Sequence, residues 1–288
     1  MMMTAKKIAF QGENGANSDT ACRMMFPELQ PLPCPTFEDA FNALASGEAD
    51  LAMIPIENTI AGRVADIHHL LPNSKLFIVG EFFLPIHFHL MVLPGTKRSA
   101  IKTVHSHIHA LGQCRNYIRA NHWKGVIASD TAGAARLIAD MKDASQAALA
   151  PRLAASLYGL DIIEENVEDA ANNVTRFVVL SRDDTRATRV DDSLIVTTFI
   201  FQVRNIPAAL YKAMGGFATN GVNMTKLESY QLGGAFTATL FYADIEGHPD
   251  DAHVKRALDE LSYFSDDMRI MGVYKAHETR LALNAKLA

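Results

Sequence analysis

The first 180 residues alternate short apolar runs with helix-like patterns, and this alternation limits the possible folds more than any other feature. KIAFQG near the N-terminus precedes a helical pattern at residues 17–26, and LAMIPI at residues 51–56 precedes another at residues 62–71. Strands that alternate with crossover helices form parallel sheets. The N-terminal part is therefore predicted to be an α/β domain.

A second group of the same kind lies between residues 86 and 165. The strand-like runs HFHLMVLP, KTVHS and KGVIAS accompany helical patterns at residues 109–121 and 131–141. TRFVVLS at residues 175–181 reads as a strand with no helix of its own. A strand that returns after an inserted α/β unit predicts two lobes. The first is expected at about 6–80 plus 172–182, and the second at about 86–165.

The C-terminal part follows a charged linker, SRDDTRATRVDD at residues 181–192. Its β-like runs are SLIVTTFIFQV, NMTKLESYQ, AFTATLFYADI and MRIMGVYK, with helices expected at residues 207–219 and 249–264. Gly233 and Gly234 favour a hairpin, and Asp250 and Asp251 suit the first turn of a helix. The order β-α-β-β-α-β predicts an α+β, ferredoxin-like module.

Composition and charge exclude several functional classes. The net charge of -5 comes without basic blocks, so neither nucleic acid nor an anionic membrane is expected as a partner. Cys22, Cys34 and Cys114 stand outside any CxxC pattern, which favours unpaired thiols in a reducing compartment. No apolar run is long enough for a signal peptide or a membrane span. These features predict a cytoplasmic protein.

Small and polar residues mark the ends of the predicted strands. They are GENGANS at residues 12–18, Glu57 with Asn58, Ser106, and Ser129 with Thr131. In open α/β sheets, ligands bind beyond the carboxyl ends of the strands, where helix N-termini offer free N–H groups. Arg176 on the returning strand could add a full positive charge. The residues alone thus predict a two-lobed protein that binds a small anion.

Several of these polar residues also suit a purely structural role. Taken singly, Ser106, Ser129 and Thr131 are better explained as helix caps. Glu57 is equally suited to the first turn of a helix. The histidines at 87, 89, 105, 107 and 109 lack an obvious Asp, Glu or Cys partner, so no metal site is predicted.

Six motifs in order carry a resemblance to a known family. They are GENGANS, PIENTIAGRV at 55–64, SHIHALGQC at 106–114, SDTAGAA at 129–135, AALAPRLAASLYGL at 147–160 and NNVTRFVVL at 172–180. The chain resembles monofunctional prephenate dehydratase over residues 6 to about 277. Because the first predicted strand begins by Lys7, the N-terminal chorismate mutase domain that is fused to some members of this family is not expected.

The resemblance implies both a fold and a reaction. Residues 6–182 should form a two-lobed catalytic domain like a type 2 periplasmic binding protein, and residues 193–277 an ACT regulatory domain. The implied enzyme converts prephenate to phenylpyruvate in L-phenylalanine biosynthesis, with loss of carbon dioxide and water and without a cofactor or metal. L-phenylalanine is the expected effector, and a homodimer or homotetramer the expected assembly.

The resemblance also assigns roles to residues. Thr175 is expected to assist departure of the hydroxyl, which requires a polarising neighbour because an alcohol is a weak acid. The other implied catalytic residues are Glu57, Asn58, Ser106 and Gln113. The implied substrate-binding residues are Arg176, Phe177, Thr131, Gly15, Ala16, Asn17 and Ser18. The implied phenylalanine site comprises Asn205, Ala208, Ala209, Leu210, Glu228 and Ser229.

Three segments depart from the family pattern. HIH at 107–109 stands where the family often has histidine, proline and glutamine. IPAAL at 206–210 and LESYQ at 227–231 alter the segments implied in effector binding. Two further functions stay open, namely a non-catalytic sensor of aromatic amino acids and a dehydratase that prefers arogenate.

Overall fold

A computed structural model describes residues 6–189, 193–204, 206–231 and 238–284. The chain divides into two compact units. The first contains the residues up to Ile67 together with Phe82–Phe177, and the second contains His68–Glu81 together with the chain from Val178 onward. Residues 68–80 and 178–182, which we expected in the first lobe, therefore group with the C-terminal module.

The elements between Lys7 and Ser181 alternate strands with helices. In chain order they are β1 (Lys7–Gln11), α1 (Asn17–Met25), β2 (Gln30–Cys34), α2 (Phe37–Ser46), β3 (Leu51–Asn58), β4 (Gly62–Arg63), α3 (Ile67–Asn73), β5 (Phe77–Pro85), β6 (His89–Val92), β7 (Thr103–Ser106), α4 (Ile108–Gln113), α5 (Arg115–Ala120), β8 (Lys124–Ile127), α6 (Thr131–Met141), β9 (Gln146–Ala150), α7 (Arg152–Tyr158), β10 (Asp161–Glu164) and β11 (Val174–Ser181). Most of α3, the start of β5 and the end of β11 belong to the second unit.

The first lobe of the first unit is built around β1. This strand pairs in parallel with β2 on one side and with β3 on the other, and β3 neighbours β11. Ile8, Ala9 and Phe10 are fully buried, because β1 is covered on both faces. The carboxyl ends of β1 and β3 consequently meet at one edge of the sheet, which places residues 11–18 close to residues 57–58.

The second lobe has the sheet order β10-β6-β9-β7-β8. The strand β7 is parallel to β8 and β9, whereas β6 is antiparallel to β9 and β10. Alanines of α6 pack tightly against this sheet, with Ala132, Ala134 and Ala135 fully buried. The carboxyl ends of β7 and β8 lead directly into α4 and α6, so the helix starts of this lobe lie at one edge.

The second unit contains the predicted β-α-β-β-α-β order. Its elements are β12 (Ile195–Val203), α8 (Ala209–Thr219), β13 (Met224–Gln231), β14 (Ala238–Glu246), α9 (Ala252–Phe264), β15 (Ser265–Lys275) and α10 (Glu278–Asn284). The sheet order is β13-β14-β12-β15, and β5 joins β15 through Gly272 and Ile78. Phe199, Phe201 and Phe217 form the centre of its hydrophobic core. Gly233 and Gly234, the predicted hairpin, lie outside the described residues.

Several predicted elements differ from the structure. The helix expected at residues 62–71 is wrong at its start, because Gly62–Arg63 form β4, which returns antiparallel to β3. The helix expected at residues 109–121 is interrupted at Cys114. The strand β2 was not predicted because it contains Pro31 and Pro33. It tolerates them because it lies at the edge of the sheet. No helix within the described residues is long and apolar enough to span a membrane.

Candidate active site

A cavity of about 290 Å³ lies between the two lobes of the first unit. Both lobes contribute to its walls, through the strand ends and helix starts described above. Its polar lining includes Gln11, Asn17, Ser18, Asn58, His107, His109, Gln113, Ser129, Asp130, Thr131, Asn173 and Thr175. Phe88, Phe177 and Ile86 add apolar surface, so the cavity has the mixed lining typical of small-molecule sites.

The hydroxyl of Thr175 is polarised by a neighbouring amide. Asn58 Nδ2 donates a hydrogen bond to Thr175 Oγ1 at 2.9 Å. A donor aimed at the hydroxyl oxygen stabilises negative charge on it and leaves its own proton available to another acceptor. The same Nδ2 group donates to Asn173 Oδ1 at 2.7 Å. Thr175 thus has the polarising neighbour that proton donation by an alcohol requires.

The orientation of the Asn58 amide is fixed by the backbone. Its Oδ1 atom accepts hydrogen bonds from the N–H groups of Ile60 at 2.9 Å and Ala61 at 2.8 Å. Asparagine side chains often stabilise turns in this way. This turn reverses the chain into β4. Because the turn holds the Oδ1 atom of Asn58, the Nδ2 group of the same amide faces Thr175.

Arg176 and Glu57 contact each other instead of lining the cavity. The side chain of Arg176 is only 3% exposed, and its Nη1 atom lies 2.9 Å from Glu57 Oε1. Successive residues of a strand point to opposite faces, so Arg176 points away from the face that carries Thr175 and Phe177. The structure therefore differs from the expectation that Arg176 contacts a substrate carboxylate. Glu57 is a strand residue, which excludes its alternative interpretation as a first-turn helix residue.

The second lobe brings Gln113 to the cavity but not Ser106. Gln113 ends α4, and its Oε1 atom accepts a hydrogen bond from Asn173 Nδ2 at 2.7 Å. Ser106 is fully buried, and its hydroxyl donates to the carbonyl oxygen of Leu149 at 2.6 Å. The role expected for Ser106 at the substrate is therefore corrected to a contact with the neighbouring strand β9.

Thr131 lies at the start of α6 and lines the cavity. Asp130 precedes it as the helix cap, and Asp130 Oδ1 accepts a hydrogen bond from the N–H group of Gly133 at 2.7 Å. Burial raises the pKa of Asp130 above its ordinary value, and the nearby Glu13 adds to this rise. Thr131 thus combines the cap-region position and the cavity position that sequence reasoning left as alternatives.

In the GENGANS loop, Gly15 packs against the other lobe, and the residues that follow it line the cavity. Gly15 has a φ of +90°, and a Cβ atom there would lie 2.9 Å from the Cα atom of Ala154. Only glycine fits this approach between the lobes, and Gly15 itself does not line the cavity. Ala16, Asn17 and Ser18 do line it, at the start of α1.

The cavity lining combines helix starts and neutral polar side chains with the Asp130 carboxylate. Within the described residues, its lining includes no Lys or Arg. The nine-residue helix α1 and the eleven-residue helix α6 both begin there. Helix N-termini carry partial positive charge and free N–H groups. Burial and the neighbouring His109 lower the pKa of His107, which favours its neutral form.

Sequence reasoning did not select Asn173, although it is 3% exposed and bonded to both Asn58 and Gln113. A signal for it was available. Residues 173, 175 and 177 alternate along β11 and its first flanking residue, so they share a face. The same alternation separates Arg176 from that face.

The residues expected to bind phenylalanine lie in the second unit. Ala208 is the exposed cap of α8 with a φ of 60°, whereas Ala209 is buried in the hydrophobic core and Leu210 packs against it. Glu228 lies 3.4 Å from Lys226, and Ser229 is exposed on β13. Ala209 thus contributes to packing rather than to an exposed surface. Asn205 lies outside the described residues.

Comparisons with known proteins agree with the two-lobed α/β fold. Residues 8–185 match the family model described as prephenate dehydratase. A bifunctional N-acyl-homoserine lactone acylase/prephenate dehydratase of Komagataeibacter europaeus is 47% identical over 273 residues, covering 95% of this chain and 97% of that protein. An arogenate dehydratase/prephenate dehydratase 1, chloroplastic, of Arabidopsis thaliana is 36% identical, covering 93% and 71%.

A solved structure gives the same result. The prephenate dehydratase of Arthrobacter aurescens in complex with L-Phe superposes with a TM-score of 0.86 at 30% identity, covering 95% of this chain and 91% of that chain. The fold is that of a two-lobed α/β protein with its candidate site between the lobes. The chain belongs to the prephenate dehydratase family and is accordingly a dehydratase.

Proposed function

We propose that the protein converts prephenate to phenylpyruvate, carbon dioxide and water. The ring carboxylate leaves as carbon dioxide, and its bonding electrons complete the aromatic ring. The C–O bond to the ring hydroxyl breaks at the same time, and the departing hydroxide takes up one proton to become water. The observation that carries the proposal is the Thr175 hydroxyl, which lines the cavity and is polarised by Asn58 at 2.9 Å.

Each neighbour of Thr175 has a role in this proposal. Thr175 donates a hydrogen bond to the departing hydroxyl, and the N–H group of Asn58 stabilises the charge that develops on its oxygen. Gln113 presents N–H groups to a substrate carboxylate, as do the starts of α1 and α6. Phe88 and Phe177 exclude water, which strengthens these interactions. Glu57 and Arg176 act only indirectly, by fixing β3 against β11.

The second unit is proposed to be an ACT regulatory domain. Its β-α-β-β-α-β order supports this assignment. The similar protein of Arthrobacter aurescens was crystallised with L-Phe, so L-phenylalanine is the effector that we propose here. Such an effector would act in a homodimer or homotetramer by shifting the population of two conformations.

Incubation of the purified protein with prephenate tests the proposed function. Phenylpyruvate should form at a rate that a chelator does not change, and added L-phenylalanine should lower that rate. Ligand-induced stabilisation without product would support the aromatic amino acid sensor instead. The same assay with arogenate, which yields phenylalanine directly, decides between the two substrates.

A second activity can be tested on the same preparation. The relative from Komagataeibacter europaeus is named as an acylase as well as a dehydratase, and it is 47% identical to this chain. Release of homoserine lactone from an N-acyl-homoserine lactone would add this activity. The Thr175→Ala variant tells whether the two activities share a site, because only a shared site would lose both.

A further inference from the structure

A continuous series of amide hydrogen bonds crosses the cavity from one lobe to the other. Asn173 lies at its centre, in the segment that returns from the second lobe to the first. Its Oδ1 atom accepts from Asn58 Nδ2 at 2.7 Å, and its Nδ2 atom donates to Gln113 Oε1 at 2.7 Å. Its backbone carbonyl oxygen accepts from the N–H group of Ile86, on the opposite crossing, at 2.8 Å. Asn173 is therefore held on both sides of the lobe boundary.

The direction of every hydrogen bond in this series follows from one anchor. Asn58 Oδ1 is held by the N–H groups of Ile60 and Ala61, so Asn58 can offer Asn173 only its Nδ2 group. Asn173 must therefore accept this hydrogen bond through Oδ1, which leaves its Nδ2 group to donate to Gln113. Gln113 must in turn accept through its Oε1 atom. Its own Nε2 group then remains for the cavity that Gln113 lines.

We infer that Asn173 is a positioning residue that determines which group Gln113 presents to the substrate. An amide can rotate and exchange its donor for its acceptor at little cost when nothing fixes it. A cavity for a dicarboxylate needs the donor, because a carbonyl oxygen would repel a carboxylate. At 3% exposure Asn173 acts through its two neighbours rather than by binding the substrate itself. The inference rests on the proposed dehydratase function.

Asn173→Asp separates this role from simple packing. The ionised carboxylate has the same shape and still accepts from Asn58, so Thr175 stays polarised and kcat should stay near the parent value. It cannot donate to Gln113, which should rotate and turn its oxygen toward the substrate. We expect KM for prephenate at pH 8 to rise about ten- to a hundredfold, the range for one hydrogen bond replaced by a repulsive contact.

The pH dependence supplies a second, sharper readout. A protonated carboxyl group has a donor and an acceptor in the same places as the amide, and burial raises the pKa of such a group. The KM of Asn173→Asp should therefore fall toward the parent value as the pH is lowered, with the parent measured at each pH. Loss of packing would lower the melting temperature and kcat without restoring KM in this way.

Asn172→Asp is the matched control, because it introduces the same charge at the adjacent, exposed residue. Equal KM values for Asn172→Asp and Asn173→Asp at pH 8 would overturn the inference while leaving the dehydratase intact. An inactive parent would overturn both. If Asn173→Asp does not fold, Gln113→Glu tests the same inference.

The glutamate of Gln113→Glu still accepts the hydrogen bond from Asn173 but has no donor to turn toward the cavity. The KM of this variant should therefore rise at unchanged melting temperature. A parent-like KM for Gln113→Glu contradicts the inference.

Discussion

Two polar networks in this chain use opposite kinds of groups. In the first unit, the neutral amide of Asn58 polarises Thr175 at the wall of an open cavity. In the second unit, Glu81 and Arg280 form a two-point ion pair at 2.8 and 2.7 Å, with Asp244 at 3.9 Å from the same guanidinium group. The side chains of Glu81 and Asp244 are fully buried.

The difference separates a network built for stability from one built for a ligand. Buried charges must be matched within the protein, because an unmatched charge costs several kcal/mol. Neutral amides can leave one donor facing a cavity at much lower cost. The site therefore turns the positive charge of Arg176 away from the cavity, and the groups around Thr175 that face the cavity are neutral amides.

Arg280→Ala should give the largest effect, and it should act on stability. It removes one partner from a buried ion pair, which typically costs about 3–5 kcal/mol. Chemical denaturation should show the loss, and Lys255→Ala, which removes an exposed ion pair with Asp259, is the control. Unfolding of the two variants at the same denaturant concentration would contradict the larger contribution assigned to the buried ion pair.

Asn58→Asp should act on catalysis. A carboxylate still accepts the N–H groups of Ile60 and Ala61, so the turn persists. It cannot donate to Thr175, and it would instead accept the Thr175 proton. We expect kcat to fall on the order of a hundredfold, about 3 kcal/mol in the barrier. The melting temperature should fall as well, because the carboxylate cannot donate to Asn173 Oδ1 or to the carbonyl oxygen of Val174. Stopped assays with prephenate measure kcat, and a value within about threefold of the parent would contradict the assigned role.

Arg136→Ala should have a small effect on stability. Arg136 Nε and Nη2 donate to Glu13 at 2.7 and 2.9 Å, and the guanidinium group lowers the pKa of the Glu13 carboxyl group. The Arg136 side chain is 50% exposed and that of Glu13 is 34% exposed, so solvent screens the pair and it contributes less than about 1 kcal/mol. The melting temperature should therefore change little, and the difference from the parent should shrink further in high salt. A large fall in melting temperature that salt does not change would contradict this prediction, because it is the behaviour expected of a buried ion pair.

His107→Asn should give the smallest effect. The pKa of His107 is lowered by burial, so the stability that its neutral form contributes is present above its unfolded-state pKa and is lost as the pH falls. Asparagine can also cap α4 but does not titrate. The variant should lose less stability than the parent between pH 7.5 and 5.5, by well under about 1 kcal/mol. Identical pH profiles would contradict the assigned direction.

The sequence predicted the fold better than it predicted the direction of side chains. The helix at residues 131–141 has the expected bounds, because its apolar period and its Asp130 cap agree locally. Gly62–Arg63 were predicted as the start of a helix but form β4, because the turn at Asn58 sends the chain back along β3. Arg176 and Ser106 were placed at the cavity by their positions on predicted strands and by the family motifs. Strand alternation could have corrected Arg176, whereas the bond from Ser106 to Leu149 depends on a neighbouring strand that only the folded chain supplies.

The amide of Asn173 illustrates a further limit. Its two partners are 115 and 60 residues away in sequence, so no local pattern links them. What makes Asn173 informative is the fixed direction of its hydrogen bonds, which depends on the turn at Asn58. A site of this kind can be recognised only when the positions of both segments that connect the lobes, near residues 86 and 173, are known.

The most direct test of the central claim is the turnover number of Thr175→Ala beside that of Thr175→Ser, both with prephenate and both checked for an unchanged melting temperature. A polarised hydroxyl that assists the leaving group predicts a loss on the order of a hundredfold in kcat for alanine. The serine variant keeps the hydroxyl and should retain most of the parent rate. Equal rates for the parent and the alanine variant would contradict the account, because the reaction would then proceed without this hydroxyl.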